Sequence, residues 1–196
     1  MRWQSLMIEL GRPAPELDLP DATGRKVRLE HVRGPRGLLV AFICNHCPFV
    51  LHIIDDLVAF AHEYAQHGIG AVAVSSNDIG THPEDGPLQM AEFARRHAMR
   101  FPYLYDESQA VAKAYGAACT PDLFLYDARG RLYYRGQFDD SRPRTPHTKE
   151  VAVPARGGDL RAAADRMLRA EPPPDPQKPS MGCSMKWKPG NEPDWA

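Results

Sequence analysis

The sequence shows no excess of either charge and no long apolar run. Its 24 Lys and Arg residues face 25 Asp and Glu residues, for a formal net charge of −1. Nucleic-acid-binding domains normally carry a basic surplus, so a nucleic-acid partner is not expected. The longest apolar run, GLLVAFIC over residues 37–44, is far shorter than the roughly 20 residues that a membrane-spanning helix needs. We therefore expect no membrane-spanning segment.

Cysteine is scarce, with four residues in a chain of 196. The first ten residues contain no apolar stretch of signal-peptide length, which indicates a cytoplasmic protein. Because structural disulfides are rare in that compartment, the cysteines are not expected to form a disulfide framework. With 43% apolar and 25% charged residues, the composition is typical of a globular protein, and the length suits one domain.

Proline is unevenly distributed along the chain. Residues 171–196 hold seven of the 19 prolines. Since proline has no amide hydrogen and a fixed φ, we expect no regular structure in this segment. It also contains Met185, Trp187 and Trp195, which favour its partial packing on the rest of the protein. The sequence thus predicts a domain over residues 1–170 and a Pro-rich C-terminal extension over residues 171–196.

The hydrophobic pattern predicts strands alternating with helices. An N-terminal β-hairpin is predicted from the segments 17–19 and 27–29. Further strands are predicted at residues 38–43, 69–75, 103–105, 122–126 and 132–136. Helices are predicted at residues 48–67, 87–97, 108–115 and 160–168, and a long polar loop at 139–157. This order predicts an α/β fold with a central mixed β-sheet flanked by helices.

The motif Cys44-Asn45-His46-Cys47 lies between the predicted strand 38–43 and the helix that follows it. Two cysteines at this spacing in a cytosolic chain indicate redox chemistry or metal binding. Pro48 suits a first helical position, which makes Cys47 the N-cap. Free amides and the helix dipole favour a thiolate there and can lower the pKa of such a cysteine from about 8.5 to about 3.5–7.5. Cys47 is therefore the predicted nucleophile, with its sulfur open to attack.

The roles of the neighbouring residues remain open at this point. Cys44 can bridge to Cys47 only if the intervening turn folds back. An alternative register makes Cys44 the cap and places Cys47 in the first helical turn. His46 could lower the pKa of a neighbouring thiol when protonated, or move a proton when neutral, but it could also be a solvent-facing turn residue.

Metal binding competes with the redox interpretation of this motif. Cys44, His46, Cys47 and His52 all offer sulfur or nitrogen ligands. Structural zinc typically takes two separated ligand pairs, whereas Cys119 and Cys183 are single and distant in the sequence. Thiolates could still hold copper(I). The redox interpretation requires no metal and no other cofactor.

Four segments together resemble the thioredoxin-like superfamily, in particular its peroxiredoxin-like redoxin subgroup. They are GRPAPELDLPD (11–21), LVAFICNHCP (39–48), ACTPDLFLYD (118–127) and LYYRG (132–136). The tail KPSMGCSMKWK (178–188) is similar to that of one peroxiredoxin-like subgroup. The resemblance implies a thioredoxin-like fold in which a cis Thr120–Pro121 bond faces the reactive cysteine. Thr120 and Pro121 would then bind the substrate backbone, and Cys119 would be a candidate resolving thiol.

The sequence also departs from these families. Cys47 matches the attacking cysteine of thioredoxin, but Val50 stands where thioredoxin has its resolving cysteine. The peroxiredoxin pattern of Pro and Thr or Ser ahead of a single cysteine is missing. We therefore expect a thiol–disulfide oxidoreductase that acts on protein or small-molecule disulfides with a reducing thiol donor. Cys44, or alternatively Cys119 or Cys183, would resolve the Cys47 adduct. A thiol-dependent peroxidase and a non-catalytic copper- or metal-binding module are the alternatives.

Overall fold

The computed structural model describes residues 2–144 and 153–195. In chain order the strands are β1 (Arg2–Gln4), β2 (Asp18–Pro20), β3 (Lys26–Arg28), β4 (Gly37–Phe42), β5 (Ile69–Ser75), β6 (Tyr103–Tyr105), β7 (Cys119–Thr120), β8 (Asp122–Asp127), β9 (Leu132–Gly136) and β10 (Met181–Ser184). The helices are α1 (Leu29–Val32), α2 (Pro48–Ala65), α3 (Pro87–Arg96), α4 (Ala110–Tyr115) and α5 (Gly158–Leu168). A 3-10 turn spans Pro83–Asp85.

The central sheet has five strands in the order β6-β5-β4-β8-β9. Strands β4, β5 and β6 run parallel, and β8 and β9 add antiparallel to the other side of β4. This arrangement confirms the predicted mixed sheet with an antiparallel hairpin at one side. The N-terminal hairpin is also confirmed, because β2 pairs antiparallel with β3.

The central position of β4 in the sheet explains why its sequence is apolar throughout. All six of its residues are buried, because both faces of the sheet are covered. Leu39 and Ala41 point into a core formed with α2, α3 and α5. Leu38 and Val40 point into a second core formed with the hairpin, α1 and α4. Because side chains alternate between the two faces of a strand, each core lies against one face of β4. Helix α2, which follows the cysteine motif, packs on the face that carries Leu39 and Ala41.

The C-terminal extension contains a strand, so the expectation of no regular structure in residues 171–196 is wrong. Strand β10 lies between β1 and β7 and forms a second sheet of three strands with them. Its residues Met181–Ser184 include no proline, which is why they can pair although prolines flank them. Trp187 packs against the second core.

Of the predicted loop at residues 139–157, residues 145–152 lie outside the described residues. None of the described helices has the length and apolar character needed to cross a membrane.

Candidate active site

Cys47 is the residue at which the chain enters α2. It is the N-cap, with φ −67° and ψ 123°, and Pro48 is the first helical residue. The carbonyl of Cys47 accepts the amide of Leu51 at 2.9 Å, which closes the first turn. This is the favoured register; the alternative with Cys44 as the cap does not occur.

The surroundings of Cys47 stabilise a thiolate. Hydrogen bonds from the thiols of Cys183 and Cys44 lower the pKa of Cys47 well below its usual range, although burial opposes the shift. The backbone amides of Val50 and Cys183 act in the same direction. The same hydrogen bonds raise the pKa of Cys44 and of Cys183. The surroundings therefore favour the thiolate at Cys47 and the thiol at Cys44 and Cys183.

Thr120 lies opposite the cysteine pair. Its carbonyl oxygen is 3.1 Å from the Cys47 sulfur, which donates to it as a thiol. Its hydroxyl oxygen is 3.3 Å from the Cys44 sulfur. The following Thr120–Pro121 bond is cis, as the resemblance implied. The structure thus brings together Cys44, Cys47, Thr120 and Pro121.

The sulfur of Cys47 is not open to solvent, which corrects the expectation from the sequence. The side chain of Cys47 is 0% exposed and that of Cys44 is 1% exposed. The reason lies in the tail, because β10 pairs with β7 and brings Cys183 against Cys47. Cys47 belongs to the hydrophobic core beside α2. Within that core, its sulfur contacts the carbonyl oxygen of Thr120.

Cys119 is buried beside this group. Its thiol lies 3.6 Å from the carbonyl oxygen of Pro121, and burial raises its pKa. In contrast, Cys183, which is distant in the sequence, lies opposite Thr120, whose carbonyl oxygen contacts the Cys47 sulfur. The antiparallel register of β10 on β7 explains why Cys183 lies near Cys47, because it pairs Cys183 with Thr120 and Ser184 with Cys119.

A buried carboxylate holds the turn that carries the motif. Asp85, from the 3-10 turn, accepts the amide of Asn45 at 2.7 Å and the side-chain amide of Asn77 at 2.8 Å. Its Oδ2 also lies 2.9 Å from Nδ1 of His46, off the direction of an ideal hydrogen bond. This contact with Asp85 raises the pKa of His46. Burial favours protonation of Asp85, but His46 and the two amides outweigh it and lower its pKa.

A buried ion pair lies beneath β7. Arg135 donates to Asp122 at 3.1 Å, and both side chains are fully buried. Arg135 also donates to the carbonyls of Tyr115 and Gly116, while Asp122 accepts the amide of Ala118 at 3.0 Å. These bonds fix the segment that leads into Thr120.

Among the described residues, two groups of side chains could hold a metal ion. The first comprises Cys44, His46 and Asp85, and the second comprises His46, His82 and Glu84. His46 is shared between them, and its ring stacks on that of His82 at 5.1 Å. A set of one thiol, one imidazole and one carboxylate suits zinc better than copper(I).

Two features of the site could not be predicted from the sequence, namely the role of Asp85 and the proximity of Cys183 to Cys47. Asp85 lies between the predicted strand 69–75 and the predicted helix 87–97, and only its complete burial reveals its role. The apolar and aromatic residues of the tail around Cys183 indicated that the tail packs on the domain. They did not indicate which residues it pairs with.

Comparisons with known proteins agree with this architecture. An uncharacterized conserved protein from Geobacillus kaustophilus is 46% identical, with a TM-score of 0.90 over 97% of this chain and 98% of that one. Peroxidoxin BcpB from Mycobacterium tuberculosis is 18% identical, with a TM-score of 0.60 over 84% of this chain and 98% of that one; this likeness shows the fold alone. The fold is thioredoxin-like.

Sequence comparison adds a curated relative and a family. Thiol-disulfide oxidoreductase ResA from Geobacillus thermodenitrificans is 29% identical over 128 residues, which are 64% of this chain and 67% of that protein. The model of the AhpC/TSA family matches residues 10–135. This match covers the hairpin, the cysteine motif and the strand after Pro121, and the chain therefore belongs to the AhpC/TSA family.

Proposed function

We propose that the protein is a thiol–disulfide oxidoreductase in which Cys47 attacks the substrate and Cys44 resolves the adduct. The observation that carries the proposal is the position of Cys47, capped on α2 with its thiolate stabilised by neighbouring thiols and amides. A thiolate is the attacking species in disulfide exchange. The relatives named thiol-disulfide oxidoreductase support the same class of reaction.

The reaction proceeds in two exchange steps. The Cys47 thiolate attacks one sulfur of a substrate disulfide; the substrate S–S bond breaks, and the other substrate sulfur leaves as a thiolate that takes a proton. Cys44 then attacks the Cys47 sulfur and releases the second substrate thiol. The substrate disulfide is reduced to two thiols, and Cys44 and Cys47 are oxidised to a disulfide. A thiol donor restores the reduced pair.

Thr120 and Pro121 are the proposed docking residues for the substrate chain. The carbonyl of Thr120 lies beside the Cys47 sulfur, so a chain paired with β7 presents its own sulfur to Cys47. Strand β10 occupies this edge of β7 in the present structure. A protein substrate therefore has to displace the tail, which separates Cys183 from Cys47 while the mixed disulfide exists.

The test is reduction of insulin disulfides by wild-type protein, Cys47→Ser, Cys44→Ser and Cys119→Ser. We expect Cys47→Ser to abolish turnover and Cys44→Ser to accumulate a mixed disulfide between Cys47 and an insulin chain. If Cys119→Ser, and not Cys44→Ser, traps the adduct, the assignment of the resolving residue is wrong. Full turnover by Cys47→Ser would refute the proposal.

Peroxidase activity is the second candidate, and membership in the AhpC/TSA family favours it. Cys47 would transfer its electrons to a peroxide, forming a sulfenic acid and an alcohol or water. Cys44 would then condense with the sulfenic acid to a disulfide and release water. Consumption of peroxide in a thiol-coupled assay, without insulin reduction, would replace the first proposal by this one.

The remaining expectations stay predictions. Stoichiometric metal in freshly purified protein, lost in Cys44→Ser, would favour the non-catalytic metal-binding alternative. The cytoplasmic location is tested by cell fractionation, and the boundary near residue 170 by limited proteolysis.

A further inference from the structure

The tail presents a cysteine to the buried nucleophile. Strand β10 pairs antiparallel with β7, and Cys183 lies directly opposite Thr120. The carbonyl of Thr120 is also the group that contacts the Cys47 sulfur. Thr120 therefore contacts Cys47 and pairs with Cys183, which places both cysteines beside the same residue.

The docking of β10 is specific in its register. A Cβ atom added to Gly182 would lie 2.0 Å from the carbonyl oxygen of Thr120 and 2.6 Å from its carbon. Only glycine permits this approach, because backbone atoms cannot yield as a flexible side chain can. On the opposite edge, β1 pairs with β10, with Trp3 opposite Gly182. The tail strand is thus held from both sides next to the active site.

Hydrogen bonds fix both ends of β10. On one side, the amide of Ser180 donates to the hydroxyl of Ser5 at 2.7 Å, and the Ser180 hydroxyl donates to the carbonyl of Gly136 at 2.7 Å. On the other side, the amide of Lys186 donates to the side chain of Asn77 at 2.9 Å. Asn77 also donates to Asp85, so the same contacts join the tail to the turn that carries the cysteine motif.

The three cysteines differ in access. Cys44 and Cys47 are buried, whereas Cys183 is partly exposed. A disulfide between Cys44 and Cys47 would therefore be shielded from an external thiol, but a disulfide that includes Cys183 would be accessible from the surface.

We propose that Cys183 is a third redox residue, which moves the disulfide formed in catalysis from the buried Cys44–Cys47 pair to an accessible Cys47–Cys183 pair. The proposal rests on the proposed function, because it starts from the oxidised motif. After the substrate leaves, β10 returns to β7 and Cys183 attacks the Cys47 sulfur. The Cys44–Cys47 bond breaks, and the Cys47–Cys183 bond forms. Cys183 is oxidised, Cys44 is reduced, and the proton lost by Cys183 ends on Cys44, so no further oxidant is needed.

The experiment maps disulfides in the full-length protein after oxidation with oxidised glutathione, acid quenching and digestion without reductant. We expect a Cys47–Cys183 peptide pair in the wild-type protein and loss of that pair in Cys183→Ser. Ser184→Ala is the matched control, since it alters the adjacent residue of the same strand and keeps the thiol. It should retain the Cys47–Cys183 pair.

A second measurement follows re-reduction of the oxidised protein by reduced glutathione. Glutathione has to attack a protein disulfide in both proteins. The accessible Cys47–Cys183 bond should be attacked faster than the buried Cys44–Cys47 bond, so we expect slower re-reduction in Cys183→Ser. Ser184→Ala should match the wild type. Circular dichroism checks that Cys183→Ser is folded.

The outcomes separate this inference from the proposed function. If the wild-type protein carries only the Cys44–Cys47 bridge, or if Cys183→Ser is re-reduced at the wild-type rate, the relay by Cys183 is refuted. The proposed function still stands in that case, provided that Cys47→Ser has lost insulin reduction. Retained activity in Cys47→Ser would overturn the proposed function and the relay together.

Discussion

Gly182→Ala tests whether the tail strand controls access to Cys47. The new Cβ would lie 2.0 Å from the Thr120 carbonyl oxygen and 3.1 Å from the Pro121 nitrogen. Real Cβ atoms do not approach backbone atoms within 3.0 Å, so β10 has to move away from β7. Forcing an extra methyl group into a packed site costs about 1–3 kcal/mol. If this cost destabilises the docked state relative to the displaced state, the population of molecules with a displaced tail rises by about 5- to 150-fold.

The assay is the rate at which iodoacetamide alkylates Cys47 in the reduced protein, followed by peptide mass spectrometry. Displacing the tail also removes the hydrogen bonds from Cys183 that lower the pKa of Cys47, which would reduce the thiolate fraction near neutral pH. Measurement at about pH 9, above the ordinary cysteine pKa of about 8.5, separates access from ionisation. We expect Cys47 of Gly182→Ala to react faster by a factor within the range given above.

The matched control is Gly158→Ala, because a Cβ at Gly158 meets no atom within 4 Å. It should react at the wild-type rate. If Gly182→Ala also reacts at the wild-type rate, β10 does not restrict access to Cys47, and the structural basis of the relay is lost.

Two further predictions concern the buried carboxylates. Asp85→Asn removes the contact that raises the pKa of His46, so the pKa of this histidine should fall in an NMR titration. A raised histidine pKa contributes stability that is complete below about pH 6.5 and is lost as the pH rises through the folded-state pKa. Melting curves of the variant at different pH values should lack this contribution. Arg135→Met leaves Asp122 buried and unpaired and should cost about 3–5 kcal/mol in the free energy of unfolding. Adding Asp122→Asn should recover part of that loss in denaturant titrations, and failure to recover any would show that the charge is not its source.

The sequence was sufficient for the features that depend on local pattern. The apolar run of β4 predicts a strand buried on both faces, and that is what the two cores provide. The position of Pro48 predicts Cys47 as the N-cap, since proline lacks the amide that an interior helical position requires. These inferences need only the preferences of a few consecutive residues.

The features that the sequence did not reveal depend on long-range packing. Strand β10 is four residues long and contains a glycine, so its local preference for a strand is weak. Its pairing follows from the fit of Gly182 against Thr120, which are 62 positions apart in the chain. The role of Asp85 likewise depends on donors from Asn45 and Asn77, which only the folded chain brings together.

The proposed displacement of the tail would couple the reactivity of Cys47 to its accessibility. With β10 docked, the thiolate is stabilised by Cys183 and Cys44, but its sulfur is covered. When the tail leaves, the sulfur becomes accessible and loses the donors from Cys183, so its pKa rises toward the value set by the helix N-terminus and Cys44. A thiolate with a higher pKa is the stronger nucleophile, and the optimum lies near the ambient pH. The proposed displacement of the tail by a substrate would therefore expose the sulfur and raise the nucleophilicity of its thiolate, as long as the pKa of Cys47 stays below the ambient pH.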